Sequence, residues 1–228
     1  MNDTRYPLAK YIDHTILKPD AVANDLKRLC REAKEFGFYS VCVNGCNVAA
    51  CASELSDSDV LVCGVVGFPL GAMCTDIKLA ECKRCLADGA KEIDMVLNVG
   101  ALKSGQFDVV QREIASLADL CHTDSAKLKV IIETCLLSDD EKRKACELSV
   151  LAGADFVKTS TGFSTGGATI DDLKLMRSVV GAEVGVKASG GVKPENIWSM
   201  IEAASPGPVR VGASASVAIV TNAVREGL

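Results

Sequence analysis

The sequence predicts an α/β protein, a (β/α)8 TIM barrel forming a single domain over residues 1–228. Three observations carry this. Apolar strand-like runs and amphipathic helical segments alternate about eight times. The strand runs are rich in valine and isoleucine and apolar on both faces, as parallel strands covered by helices must be. No linker or shift in composition divides the chain, and the first strand–loop junction lacks the Gly-x-Gly-x-x-Gly pattern of an open nucleotide-binding sheet.

The elements follow in order. An extended piece within residues 7–19 ends at the polar cluster Asp13-His14-Thr15, and a helix over Ala21–Phe36 stops at Gly37. Tyr39–Val43 is the second strand, with a short helix over Asn47–Leu55. Val60–Val66 is the third, broken by Gly67-Phe68-Pro69-Leu70-Gly71, and Thr75-Asp76 caps a helix running to Asp88. Lys91–Asn98 is the fourth strand, followed by an amphipathic helix over Gln106–Cys121. Leu128–Glu133 is the fifth, and Ser138-Asp139-Asp140-Glu141 starts a helix with a capping box. Asp155–Thr159 is the sixth, with a helix over Ile170–Val180. Glu183–Ala188 is the seventh, with a helix from Pro194. Val209–Val211 is the eighth, with a last helix over Ala215–Val224.

Composition excludes several function classes. A net charge of −5 and 4% aromatic residues give neither a general attraction to nucleic acid nor a stacking platform. No apolar run reaches the roughly 20 residues that span a bilayer, and Met1–Tyr6 lacks the basic start of a signal peptide. The 11 cysteines, scattered in apolar contexts, read as small buried hydrophobes, and a cytoplasmic location is expected. With two histidines, no three-histidine metal site exists, and Cys82-x-x-Cys85 has no partner pair, so no metal is expected. His14 reads as a packed or interface histidine. Lys91, Glu92, Lys142, Arg143 and Lys144 read as solvated or rim charges.

Barrel active sites lie at the C-terminal ends of the strands. Side chains there include Asp13, Thr15, Cys42, Asn44, Asp94, Asn98, Glu133, Lys158 and Lys187. Alternation along the strands turns Asp94, Lys158 and Lys187 inward when Ile93, Met95, Val157 and Val186 meet the helices. Adjacent strands lie about 4.8 Å apart, which brings the two lysines together. A nearby ammonium and desolvation both favour a neutral amine, the form a nucleophile needs. The other reading is a structural network in which Asp94 or Glu133 pairs with the lysines. The loops Ser189-Gly190-Gly191 and Gly212-Ala213-Ser214, each preceding a helix, sit where barrels commonly hold phosphate.

Taken together these motifs resemble the deoxyribose-phosphate aldolase family. The resemblance runs from Tyr11-Ile12-Asp13-His14-Thr15 to Val211-Gly212-Ala213-Ser214. It includes Val41-Cys42-Val43-Asn44, Glu92-Ile93-Asp94-Met95-Val96, Phe156-Val157-Lys158-Thr159-Ser160-Thr161-Gly162 and Val186-Lys187-Ala188-Ser189-Gly190-Gly191. It implies that Lys158 forms a Schiff base, that Lys187 lowers the amine's pKa, and that Asp94 relays protons with water. It puts Gly162, Gly190, Gly191, Gly212 and Ser214 at a phosphate, and Asp13, Thr15, Cys42 and Thr161 along the substrate pocket. The implied reaction is reversible cleavage of 2-deoxy-D-ribose 5-phosphate to D-glyceraldehyde 3-phosphate and acetaldehyde, in deoxyribonucleoside catabolism. It needs no cofactor, and a homodimer is implied.

Four positions depart from the family pattern. Gly45 replaces a common proline, which suggests a looser loop. Ala215 replaces a second phosphate-contacting serine found in some members, and Phe163 a lysine. The chain ends at Glu226-Gly227-Leu228 without the tyrosine some members use in proton transfer. Two other readings stay open: a different Schiff-base lyase for a phosphorylated sugar, and a non-catalytic sugar-phosphate binder.

Overall fold

The computed structural model describes residues 7–223. The readings on Met1–Tyr6 and on Glu226-Gly227-Leu228 therefore lie outside the described residues. Eight parallel strands close into a barrel in sequence order, as the alternation of elements predicts. They are β1 (Ile12–Ile16), β2 (Ser40–Val43), β3 (Leu61–Val66), β4 (Glu92–Val96), β5 (Lys127–Ile131), β6 (Phe156–Lys158), β7 (Gly185–Ser189) and β8 (Val209–Ala213). β8 closes on β1 with Asp13 opposite Gly212.

The helices are α1 (Ala23–Phe36), α2 (Val48–Glu54), α3 (Thr75–Ala87), α4 (Val99–Lys103), α5 (Phe107–Thr123), α6 (Asp139–Leu151), α7 (Ile170–Val180), α8 (Ile197–Ala203) and α9 (Ser216–Asn222). The sequence does not announce α4. Asn98 ends the expected strand but serves as the cap, accepting from the Ala101 amide at 3.0 Å. The expected capping box forms at α6, where Ser138 and Glu141 exchange hydrogen bonds of 2.8 and 3.3 Å. The cap expected at Thr75 does not form. Cys74 takes the cap position, and the Thr75 hydroxyl donates to Glu113 at 3.0 Å. α8 starts at Ile197, three residues after Pro194.

Strand alternation divides the molecule into two interiors. The outward residues Ile93, Met95, Leu97, Val130, Ile132, Val157 and Val186 pack with the helices into the main core. Buried apolar area there supplies most of the driving force, at roughly 25 cal/mol per Å². Within the barrel, a smaller cluster joins Leu17, Cys42, Cys63 and Val65, with Phe68 against it. The charged residues fill much of the remaining barrel interior, together with inward Val96, Ile131 and Phe156.

Two local devices hold the wall. Lys78 on α3 is buried and pairs with Glu113 on α5 at 2.6 Å, and also donates to the Val96 carbonyl at 2.9 Å. Burial pushes the Lys78 ammonium down, and Glu113 partly offsets this. Gly185 faces the Phe156 ring across the β6–β7 register, and a methyl group added there would lie 2.1 Å from ring carbons. Gly185→Ala is therefore expected to lower stability by about 1–3 kcal/mol. Urea unfolding followed by circular dichroism checks this, and an unchanged midpoint would show that the ring has room to move.

Candidate active site

The inward faces of the strands carry three carboxylates, Asp13, Glu92 and Asp94, and four cations, Lys129, Lys158, Lys187 and Arg210. All are at most 8% exposed. Asp94 is their hub. Its Oδ2 accepts from Lys158 Nζ at 2.8 Å and from Lys187 Nζ at 2.7 Å. Its Oδ1 accepts from Lys129 Nζ at 2.9 Å and from Cys63 Sγ at 3.1 Å. The register makes this possible, because Lys158 and Lys187 are direct partners and Asp94 is level with Lys129.

Below the hub, Lys129 reaches Glu92 at 2.7 Å, and Lys187 reaches Asp13 at 2.5 Å. Neither Asp13 nor Glu92 accepts a hydrogen bond of normal geometry, so these contacts are electrostatic. Arg210 stacks its guanidinium 3.1 Å over the Tyr39 ring, with Asp13 and Glu92 at 3.5 and 3.7 Å.

Burial opposes the charges on Asp94, Asp13, Lys187 and Lys129, and their partners overcome it. Desolvation pushes the Asp94 carboxyl up, but Lys129, Lys158 and Lys187 hold it well below the usual range. Asp13 is likewise held low against desolvation, first by Lys187 and then by Lys129. Desolvation pushes Lys187 down, yet Asp13 and Asp94 hold it above the ordinary lysine value, and Lys129 is held well above it by Asp94 in the same way. Cys42 and Cys63 interact through their sulfurs, which lowers the first thiol; burial raises the second.

A cleft of about 780 Å³ opens above this cluster. Thr15, Thr161, Gly162, Gly190, Gly191, Gly212 and Ser214 all line it, so seven of the sequence-derived positions share one mouth. Lys158, Lys187, Asp94, Asp13 and Cys42 are not in its lining but buried in the barrel. Gly190 and Gly191 have φ of 82° and 75°, which favours glycine. Gly190 also abuts Gly167, where an added methyl would lie 2.5 Å from the Gly190 carbonyl oxygen. The Ala168 amide donates to both Ser189 and Gly190, which ties the β6–α7 loop to the β7–α8 loop.

Several expectations are corrected. Glu92 is not a rim charge: it is fully buried among Lys129 and Arg210, while Lys91 stays exposed. Lys142 is not merely solvated, since it pairs with Asp172 at 2.6 Å. Glu133 does not pair with the lysines. It takes a left-handed backbone, φ 55°, and binds the amide and hydroxyl of Thr161. Cys46, Cys74 and Cys135 are exposed, whereas the other eight cysteines are buried, and none forms a disulfide. Gly45 opens a 3-10 turn over Gly45–Asn47, where an added side chain would meet Cys85 Sγ at 3.2 Å. His14 is packed as expected, 2.8 Å from Glu32, with burial lowering its pKa. Phe163 crosses to Phe68 edge-on, with ring centroids 5.4 Å apart.

Lys129 and Arg210 were missed by sequence reasoning. Strand parity alone turns both inward, since each stands between two apolar residues, but their level with Asp94 and Lys187 is set by the register between strands.

A closed (β/α)8 barrel with buried lysines sharing a carboxylate beneath a glycine-lined mouth defines an enzyme, a carbon–carbon lyase of the aldolase class. The chain belongs to the DeoC/LacD family of aldolases, whose family model matches residues 8–220. It is similar to the deoxyribose-phosphate aldolase of Alkaliphilus oremlandii, 56% identical over 94% of this chain and 96% of that one. The Thermococcus gammatolerans enzyme of the same name is 54% identical over 95% and 96% of the two chains. Among solved structures, a putative deoxyribose-phosphate aldolase from Coccidioides immitis superposes with a TM-score of 0.89 at 43% identity, covering 94% of this chain and 84% of that one. The Aeropyrum pernix enzyme, described as tetrameric, gives 0.86 at 32% identity over 96% and 91%.

The ion cluster sets a pH window. Asp94 and Asp13 are held low, so their stabilisation is present above the ordinary value of 3.8 and is lost as pH falls through their folded values. Lys187 and Lys129 are held high, so theirs is complete below 10.5 and is lost as pH rises beyond it. Urea midpoints measured across pH should decline outside both limits, with buried His14 adding a further loss as pH drops below 6.5. A midpoint still rising above 10.5 would contradict the assigned charges.

Proposed function

We propose that Lys158 is the Schiff-base lysine of a deoxyribose-phosphate aldolase, with Lys187 and Asp94 as its partners. The observation that carries this is the single Asp94 oxygen shared by both amines. The reaction is reversible cleavage of 2-deoxy-D-ribose 5-phosphate to D-glyceraldehyde 3-phosphate and acetaldehyde. This is the activity named for the relatives that match nearly the whole chain.

The choice between the lysines follows from their partners. Lys187 has two carboxylates, Asp13 and Asp94, and is fully buried. Lys158 has only Asp94, is 2% exposed, and leads directly into the loop that lines the mouth. Losing a proton from Lys158 sacrifices one ion pair; losing it from Lys187 sacrifices two. The interior carries four cations against three carboxylates, so giving up one proton balances it.

The neutral Lys158 amine attacks C1 of the open-chain sugar. Water leaves the carbinolamine, with Asp94 moving the protons, and an iminium remains. The C2–C3 bond then breaks, its electron pair passing into the iminium to form an enamine. The C3 hydroxyl gives up its proton and becomes the aldehyde of the departing triose phosphate. Protonation of the enamine at C2 and hydrolysis release acetaldehyde and restore the amine. The C3 hydroxyl proton goes to the Asp94–water relay. Gly162, Gly190, Gly191, Gly212 and Ser214 receive the phosphate at the mouth, while Thr15 and Thr161 offer hydroxyls to the sugar. Asp13 keeps Lys187 charged, and Cys42 forms the wall.

The wider reading joins these parts. Residues 1–228 form one barrel domain, cytoplasmic, serving deoxyribonucleoside catabolism, without nucleic-acid partners. Among the described residues no helix is long and apolar enough to cross a membrane. On the family resemblance we also propose a homodimer, which light scattering tests.

Borohydride reduction with acetaldehyde or deoxyribose 5-phosphate, followed by peptide mapping, tests the central assignment. The adduct is expected on Lys158, absent in Lys158→Ala and much reduced in Lys187→Leu. Asp94→Ala is expected to lower kcat by about 10²–10⁴-fold. A folded protein that gives no adduct sinks the aldolase reading, and an adduct on Lys187 reverses the two lysines.

A further inference from the structure

The chemistry above uses Cys42 only as a wall and gives Cys63 no task. They are register partners on β2 and β3, both inward and both fully buried. Among the described residues, their sulfurs and an Asp94 oxygen form a trio of metal-capable atoms lying within 4.8 Å of one another. We propose that Cys42, Cys63 and Asp94 bind a thiophilic divalent cation of the zinc group, and that its binding arrests the enzyme by capturing one oxygen of Asp94.

The distances suit such an ion. Metal–sulfur bonds of about 2.3 Å and metal–oxygen bonds of about 2.1 Å at tetrahedral angles place ligand atoms somewhat under 4 Å apart. Cys63 Sγ already lies 3.1 Å from Asp94 Oδ1. Two sulfurs and one oxygen select a soft ion over magnesium or calcium, which prefer oxygen.

The division of labour at Asp94 fixes which oxygen is taken. Oδ2 is held by Lys158 and Lys187, and Oδ1 faces Cys63 and Lys129. The cation therefore takes Oδ1 and displaces Lys129. Lys129 is not stranded, because Glu92 stays 2.7 Å away.

An interior with an excess of positive charge resists a bare dication, but coordination is an exchange. Each thiol gives up its proton to solvent on becoming a thiolate, so one M²⁺ replaces two H⁺ and the net charge is unchanged. Apolar Leu17, Val65 and Phe68 pack around the thiols and exclude competing water. With Oδ1 bound to metal, the carboxylate loses basicity and no longer carries protons for the neighbouring amine.

Arrest rests on the role given to Asp94 above, whereas binding does not, so the two are read separately. Cadmium is titrated into the reduced protein in a Cys46→Ser/Cys74→Ser/Cys135→Ser background, which removes the exposed thiols. The readouts are the thiolate-to-cadmium charge-transfer absorption, protons released at constant pH, and aldol cleavage. One equivalent is expected to bind with release of two protons, while activity falls in step and returns on chelation. Cys42→Ser and Cys63→Ser should each weaken binding at least about tenfold. Cys121→Ser, which removes the separate Cys82–Cys121 contact of 3.8 Å, should leave the titration unchanged. Absence of the band, its survival in both site variants, or its loss in Cys121→Ser overturns the site. Full occupancy with undiminished cleavage overturns the arrest. A protein with no cleavage activity before metal is added fails the aldolase reading and leaves the band and proton count to decide this one.

Discussion

The Asp94 carboxylate is the constraint on which the rest of the interior depends. It is fully buried, so an ionised form has lost its water and needs replacements. Three ammonium groups and a thiol supply them, two to each oxygen. Lys129 and Lys187 are desolvated themselves, and this carboxylate, with Asp13, holds both above the ordinary lysine value. The cations force Asp94 to ionise, and Asp94 lets the cations stay. Such a cluster is a poor source of stability, since an apolar replacement of equal volume is often as stable or more so. Its presence in a barrel normally filled by branched aliphatic side chains points to chemistry.

Stability is placed elsewhere. The outward faces of the same strands meet the helices in a continuous apolar core, while the inward faces carry the charge. One-residue alternation keeps the two apart, and a slip of one position would exchange them. The barrel interior is itself divided. β2 and β3 contribute thiols and Val65, and the charged residues run from β4 round to β1. A sugar entering from the mouth meets an apolar wall on one side and an amine beside a carboxylate on the other.

The barrel was legible because its strands are short, apolar runs at regular spacing, and the inward direction of Asp94, Lys158 and Lys187 followed from parity alone. Glu92, Lys129 and Arg210 were harder. Glu92 and Arg210 lie at the N-terminal ends of their strands and Lys129 midway along β5, whereas Lys127 at the start of β5 reaches solvent. Lys127 and Lys129 share strand parity, yet the first, at the strand's start, is exposed and the second, level with Asp94, is wholly enclosed. That level is set by the stagger between strands, which a linear pattern does not contain. Glu133 was misplaced for a related reason. Its left-handed backbone turns the side chain from the strand direction toward Thr161, a conformation uncommon outside glycine.

The ties among the loops explain how a buried amine and an open mouth work as one site. Glu133 fixes Thr161 from the β5 side, and Ala168 and Gly167 join that loop to Gly190 on the β7 side. Gly212 on β8 completes the circuit, for a side chain there would press on the Lys187 stem and Ser189 at 3.1–3.2 Å. The glycine loops are therefore held at a fixed height over the lysine pair. On the proposed reading, a ligand anchored by its phosphate at those loops has to place a carbonyl at Lys158, which makes chain length a criterion for reaction. Strain at Glu133 is the cost of that rigidity. Pre-positioning converts binding at the mouth into orientation at the amine, without requiring the charged interior to move.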